Sequence, residues 1–285
     1  MFVITGASGQ LGRLVIDQLL EKVPATQIVA AVRSPEKATD LAALGVHVRQ
    51  ADYSQPATLE TAFAGAKKVL LISSSEVGQR LAQHRAVIAA AQRAGVELLA
   101  YTSLLHANTS LLGLADEHRQ TEAALNESGV PSVVLRNGWY HENYTAGIAG
   151  DIAHGAHYGS AGQGRISSAA RADYAAAAVA VLTSSESQAG KVYELAGDAS
   201  YTLSEFAAQV AQQAKTPVVY TDLPEAAYKA ALLDAGLPEF VAQLLADPDA
   251  AAAKGALFDE RRQLSALIGR PTTPLSQSIS EALSQ

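Results

Sequence analysis

The chain contains no cysteine in its 285 residues. Disulfides, thiolate metal sites and a cysteine nucleophile are therefore excluded, and no metal centre is expected. No run of about 18 apolar residues occurs, so no transmembrane helix is expected. There is no charged leader followed by a long apolar segment, so no secretory signal is expected and the compartment expected is the cytoplasm. Positive charge is in short supply: 21 Lys plus Arg stand against 28 Asp plus Glu, a net charge of −7. Without a basic block, nucleic acid and anionic membrane surfaces are poor candidates as partners, although a local basic pocket for phosphate is compatible with that balance. Aromatic residues make up only 6%, with a single Trp, so any local cluster of them stands out.

What is present is a globular composition, 48% hydrophobic, long enough for one large domain or two modest ones. It opens on an apolar run, Phe2-Val3-Ile4, followed by Thr-Gly-Ala-Ser-Gly-Gln-Leu-Gly at 5–12 and then a helical pattern through Leu14, Val15 and Leu19. Strand, glycine turn, helix is the setting in which G-x-x-G-x-x-G spacing carries meaning. Gly6 allows the tight turn, Gly9 lets backbone approach a pyrophosphate, and Gly12 lets the helix pack close to the strand. Phosphates would lie at the helix N-terminus, where N–H groups lack partners and the dipole favours anions. Small residues packing a corner are the plainer alternative.

The same alternation continues. Strands are predicted at about 2–5, 28–32, 46–50, 69–72, 97–103 and 132–135, with helices at about 10–21, 36–44, 56–64, 79–94 and 116–128. This predicts an α/β fold, a doubly wound parallel sheet of Rossmann type. Beyond 140 the rhythm changes. A helix is predicted over about 142–154, and the glycine-rich piece 155–165 reads as a loop or short hairpin. A helix at about 171–183, strands at 192–195 and 218–220, and a capping box at Thr202 and Glu205 follow. From about 224 the chain reads as mostly helical, broken by prolines. The expected organisation is a dinucleotide-binding domain over 1–140, with returning segments at about 165–200, and a smaller, mainly helical substrate lobe over 141–285.

Ligands of such sheets sit at the carboxyl ends of the strands. At the second strand's end stands Arg33, and residues 27–35 contain no Asp or Glu. A guanidinium suits the 2′-phosphate of NADP, whereas an acid suits the 2′-hydroxyl of NAD. Arg33 could also simply be solvated. Asp52 is a candidate for the adenine amine, or for starting the turn before Pro56. Ser73, Ser74 and Ser75 either touch the cofactor or end a strand. His118 and Glu122 share one helix face, as a site pair or a surface pair. The segment Asn137-Gly-Trp-Tyr-His-Glu-Asn-Tyr144 gathers three aromatics at a strand end. A flat substrate could stack on Trp139 or Tyr140, or these rings could plug a junction. None of the lysines, at 22, 37, 67, 68, 191, 215, 229 and 254, has a tyrosine four residues before it, so the Tyr-x-x-x-Lys pair of common short-chain dehydrogenases is missing.

Thr-Gly-Ala-Ser-Gly-Gln-Leu-Gly at 5–12, Ala-Val-Arg-Ser at 31–34, Gln-Ala-Asp-Tyr at 50–53, Leu-Ile-Ser-Ser-Ser-Glu-Val-Gly at 71–78 and Leu-Arg-Asn-Gly-Trp-Tyr at 135–140 resemble the NmrA-like, atypical short-chain dehydrogenase group. Within it the chain looks most like the bacterial NADPH:quinone oxidoreductase 2 type, as do Tyr-Thr-Ser-Leu-Leu-His-Ala from 101 and Leu-Ile-Gly-Arg-Pro-Thr-Thr from 267. The resemblance implies NADPH as cofactor and two-electron reduction of quinones, small planar substrates, without flavin. It also implies cofactor contacts at Gly6, Ala7, Ser8, Gly9, Gln10 and Leu11, at Arg33, at Ser73, Ser74 and Ser75, at Leu135, Arg136, Asn137, Gly138, Trp139 and Tyr140, and at Arg165. Tyr140, His118 and Asn137 are the candidates for donating a proton or hydrogen bond to the acceptor. Triphenylmethane dye reductases look similar, so another planar acceptor is an alternative, as is a dinucleotide-binding redox sensor without turnover. A monomer or homodimer is expected.

Overall fold

Five strand-to-helix steps build the first half of the chain: β1 (Phe2–Thr5), α1 (Gln10–Leu20), β2 (Ile28–Val32), α2 (Thr39–Ala43), β3 (His47–Gln50), α3 (Pro56–Ala62), β4 (Lys68–Leu71), α4 (Arg80–Arg93), β5 (Leu98–Leu104) and α5 (Ala115–Ser128). The remainder comprises β6 (Ser132–Asn137), α6 (Glu142–Thr145), α7 (Ile148–His154), β7 (Ala156–Gly159), α8 (Arg171–Thr183), β8 (Val192–Leu195), α9 (Leu203–Ala214), β9 (Val219–Asp222), α10 (Glu225–Asp234), α11 (Glu239–Ala252), α12 (Gln263–Ile268) and α13 (Leu275–Leu283). The structure is a computed structural model, and it describes residues 1–284.

The main sheet has seven strands in the order β3-β2-β1-β4-β5-β6-β8, and β1 to β6 pair in parallel. Chain order reverses between β1 and β4, the switch point of the doubly wound fold expected from the alternation. All five residues of β2 and all seven of β5 are buried, as strands covered on both faces require. Val3, Val69, Leu71, Leu99 and Tyr101 join one apolar cluster with Leu59 of α3, Phe63 just after it, Val87 of α4 and Leu125 of α5. Val15, Ile16 and Leu19 of α1 lie outside that cluster, and α1 packs on α8.

Contacts divide the chain into two compact units. The first comprises 1–108, 114–137 and 171–194; the second comprises 109–113, 138–170 and the residues from Leu195 onward. The first holds the parallel sheet. The second has its own two-stranded sheet, in which β7 pairs in parallel with β9, from Ala156 opposite Val219 to Gly159 opposite Asp222. The glycine-rich piece is therefore neither a simple loop nor a hairpin: its first residues form a strand whose partner lies far along the chain. Local pattern carries no sign of such a partner.

The predicted helix over 142–154 is two, α6 and α7, parted at Ala146 and Gly147, where glycine weakens a helix interior. The capping box is present, with Thr202 Oγ1 accepting from Glu205 N–H at 3.2 Å and Glu205 Oε2 from Thr202 N–H at 2.8 Å. Pro224, Pro238 and Pro274 precede helices as expected, but Pro248 lies inside α11. That helix gives up one internal hydrogen bond there. Among the described residues, no helix is long and apolar enough to cross a membrane.

Candidate functional site

The glycine turn folds as its spacing demands. Gly6 has φ +59°, and Gly9 N–H closes back on Gly6 O at 3.0 Å. A Cβ on Gly12 would stand 2.5 Å from Gly6 O and 2.7 Å from Ala7 Cα, so only glycine lets α1 lie this close to β1. A Cβ on Gly9 would stand 3.2 Å from Gly6 O. No side chain caps Gly9 and the first turn of α1 has no acid, so its amide end faces outward without a built-in anion.

In front of this turn is a cavity of about 420 Å³, lined by Gly6, Ser8, Gly9, Arg33, Ala51, Asp52, Tyr53, Ile72, Ser73, Ser74, Ser75, Glu76 and Gln83. It brings together eight of the residues predicted for cofactor contact. Ala7 and Leu11 are buried behind it and Gln10 is exposed. Arg33 projects with 69% of its side chain exposed and pairs with Glu76 at 2.8 Å. Asp52 spends both oxygens on its own turn, accepting from Ser54 N–H at 2.9 Å and from Gln55 Nε2 at 3.0 Å. The turn-forming alternative describes its side chain, although the residue still lines the cavity.

The serine loop is held from behind. Ser73 N–H donates to Thr102 Oγ1 at 2.9 Å, and Arg80 Nε donates to Ser74 O at 2.7 Å. Ser74 N–H donates to His84 Nε2 at 2.9 Å. His84 must then carry its proton on Nδ1, which lies 3.0 Å from Thr121 Oγ1. Burial, and then the charge of Arg80, lower its pKa to about 3, so the ring is neutral. Tyr53 braces the loop's start, with its hydroxyl 2.9 Å from Ile72 O and 2.5 Å from Thr5 Oγ1. Sequence reasoning passed over Tyr53, Glu76, Arg80, Gln83 and His84. A signal existed on α4: Arg80, Gln83 and His84 occupy the same buried stripe as Val87 and Ala91. Polar residues on a core-facing stripe need partners.

His118 and Glu122 do not form the expected pair. His118 Nδ1 lies 2.7 Å from the Tyr101 hydroxyl, and burial lowers the ring's pKa to about 3. A neutral buried imidazole is a poor proton donor at neutral pH. Glu122 instead accepts from Arg136 Nε at 3.0 Å and Nη2 at 2.6 Å, and from Ser103 Oγ at 2.5 Å. Arg136 also reaches Glu194 at 2.8 Å and Asn108 at 3.1 Å. Its guanidinium is consumed by this cluster, and the carboxylates raise its pKa further. Adjacent helix positions predict a helix-face pair, but a cation arriving from β6 outcompetes a neutral ring for the acid.

In the segment predicted for both cofactor and catalysis, Leu135 is fully buried. Asn137 is 5% exposed, and its Oδ1 has no hydrogen-bond partner among the described residues. Gly138 N–H donates to Leu195 O at 2.7 Å. Trp139 and Tyr140 are half-buried, with Tyr140 bridging to Ala169. The loop's other rings have structural roles: His141 Nδ1 lies 2.9 Å from Ser278 Oγ, and Tyr144 packs on Phe206 with ring centroids 5.9 Å apart. Arg165 closes a loop of the second unit, donating to Ser200 Oγ at 2.8 Å and Ser200 O at 2.5 Å.

Known proteins resemble this chain in sequence and fold. A family model described as NAD(P)H-binding matches residues 6–185, a span that starts at the glycine turn and ends just beyond α8. Quinone oxidoreductase 2 of Escherichia coli (strain K12) is 56% identical over 280 residues, 98% of each chain. The chain belongs to the NAD(P)H-binding family. The resemblance to its NmrA-like, atypical short-chain branch is borne out. Two solved members share the whole fold. The E. coli NADPH-dependent quinone oxidoreductase complexed with NADPH superposes with a TM-score of 0.97 at 55% identity, covering 99% of this chain and 100% of that one. The Citrobacter sp. triphenylmethane reductase complexed with NADP(H) gives 0.95 at 38% identity, with the same coverage. The family's ligand fits the residues present: the glycine turn at Gly6 and Gly9, the uncapped helix N-terminus that follows it and the Arg33 guanidinium all border one cavity.

Proposed function

We propose that this protein is an NADPH-dependent quinone oxidoreductase, reducing quinones by two electrons through direct hydride transfer without flavin. The observation that carries the reading is the cavity joining the glycine turn to Arg33, in a chain 56% identical over 98% of its length to the E. coli quinone oxidoreductase 2. When bound, NADPH supplies the hydride.

The chain's own residues bind and orient. The amides at the start of α1 hold the pyrophosphate, Arg33 takes the 2′-phosphate, and the serine loop meets the ribose. Catalysis then comes mostly from fixing two flat rings in contact. Quinone oxygens gain negative charge as they are reduced, so hydrogen-bond donors beside them lower the barrier. Tyr140 and Asn137 are our candidates for that role; neutral, buried His118 is no longer one. A hydroquinone anion is far less basic than an alkoxide, so water can complete protonation, and the Tyr-x-x-x-Lys pair is dispensable. The reading places the enzyme in the cytoplasm, as a monomer or homodimer with no nucleic-acid partner; the net charge of −7 supports the last point.

The test is turnover by the purified chain with NADPH or NADH against several quinones. NADPH oxidation matched to quinone consumption, without flavin absorbance, is the expected result. Inertness toward every quinone would overturn it. The 38% identity to the Citrobacter sp. enzyme favours one second reading, a triphenylmethane dye as acceptor, so dyes belong in the same screen.

A further inference from the structure

Glu76 lies in the 71–78 segment but has no role assigned from the sequence, yet it lines the cavity beside Arg33. One of its oxygens accepts from Arg33 Nη1 at 2.8 Å, and the other accepts from Gln83 Nε2 at 2.7 Å. Gln83 is only 6% exposed, and its Nε2 also reaches Ser54 Oγ at 3.2 Å. A carboxylate only accepts, so this contact fixes the amide with nitrogen outward and leaves Gln83 Oε1 buried without a partner. Glu76 is thus a negative charge pinned by a buried amide, next to the one cation among the lining residues. Asp52, the other acid of the lining, is tied up in its own turn and makes no contact with Arg33.

We propose that Glu76 is a specificity-setting residue: a built-in counter-ion that competes with the 2′-phosphate for Arg33 and holds the preference for NADPH over NADH below what Arg33 alone would give. This rests on the reading of Arg33 as the 2′-phosphate site. A 2′-phosphate must displace the carboxylate from the guanidinium or settle beside it, and either way like charges come close. A 2′-hydroxyl brings no charge and can donate to the carboxylate. Arg33 and Glu76 side chains are 69% and 45% exposed, so the repulsion is screened by water and salt and its effect is moderate.

Glu76→Gln keeps the shape and an acceptor while removing the charge. Direct binding titrations of the full chain with NADPH and NADH read the result without turnover. NADPH is expected to bind about fivefold tighter at low salt, as one nearby like charge in water implies. NADH should change by less than about twofold, and the gain for NADPH should shrink as salt shortens the Debye length from about 10 Å at 0.1 M toward 3 Å at 1 M. Unchanged or weaker NADPH binding, or equal tightening of both cofactors, overturns the proposal. Arg33→Glu in the same titration separates the two readings. If it leaves the NADPH preference intact, the Arg33 assignment itself fails. If it abolishes that preference while Glu76→Gln fails to tighten NADPH, only the role of Glu76 fails.

Discussion

The polar groups around the cavity of the first unit are bonded from behind and open in front: His84, Thr102 and Arg80 hold the serine loop's backbone, and the N-terminus of α1 is uncapped. In the second unit the groups around Asp249 bond to one another, although Ser160 Oγ is buried without a partner among the described residues. Asp249 accepts from Ser160 N–H at 3.1 Å and from the Tyr144 hydroxyl at 3.4 Å, within a shell of Tyr144, His157, Tyr201 and Phe206. Both units bury polar atoms. In the first, the N-terminus of α1 beside the cavity stays uncapped. A preorganised anion site is made by fixing the groups behind the backbone, and it requires that no side chain cap the front.

Substitutions in the two units should therefore fail differently. The largest effect is expected for Gly12→Ala. The added Cβ meets backbone at 2.5 Å, so α1 must lift from β1. A loss of about 3 kcal/mol in unfolding free energy is expected, with NADPH binding weakened by about a hundredfold in titration; retained affinity would break the comparison at its root.

Next is the pH response of Asp249. Burial raises its carboxyl from 3.8 to about 6, so the folded state binds the proton more tightly than the unfolded chain. Stability from this group is greatest below about pH 4 and is lost as pH rises to about 6, by roughly 3 kcal/mol. Asp249→Asn should show no such loss, so its unfolding free energy should gain on the parent's between pH 4 and 7. NADPH affinity should stay level in both proteins. A constant gap between the two across this range would remove the contrast between the units.

His84→Phe comes third. It orphans Ser74 N–H, at about 1.5 kcal/mol, and loosens the serine loop. KM for NADPH should rise about tenfold with kcat at saturation little changed. His84→Gln, which can still accept from Ser74 and donate to Thr121, should recover most of the loss. Equal defects in both variants would mean the ring acts by packing alone. The smallest effect is expected for Thr202→Ala, which breaks the capping box of α9 and should cost about 1 kcal/mol in chemical denaturation without touching cofactor binding.

Elements whose partners are local, or adjacent through a βα step, were legible in advance: β2, paired with β1, matches its predicted bounds and the glycine turn its predicted geometry. Several with distant partners were not, although β8, whose sheet neighbour is β6, matches its predicted bounds. β7 is defined by β9, sixty-three residues on at Ala156 and Val219. Glu122 is defined by Arg136, and Glu76 by Arg33 and Gln83. Helical spacing identified His118 and Glu122 as neighbours, but could not tell which would turn to Tyr101 and which to a cation on β6. The place of Arg33 in the cavity lining was legible because ligands of such sheets sit at the carboxyl ends of the strands. The carboxylate beside it comes from a loop after another strand, and only the folded chain places it there.

The helix that opens the cradle packs on α8, and the matched family span reaches 185. During synthesis, α1 can pack on β1 and β2 early, but it lacks its α8 cover until some 150 further residues have been made, as counted from Leu20 to Arg171. The phosphate cradle is therefore translated well before one of the helices that supports it. A nascent chain halted near residue 140 would leave the α8-facing side of α1 uncovered, which offers a chaperone a binding stripe.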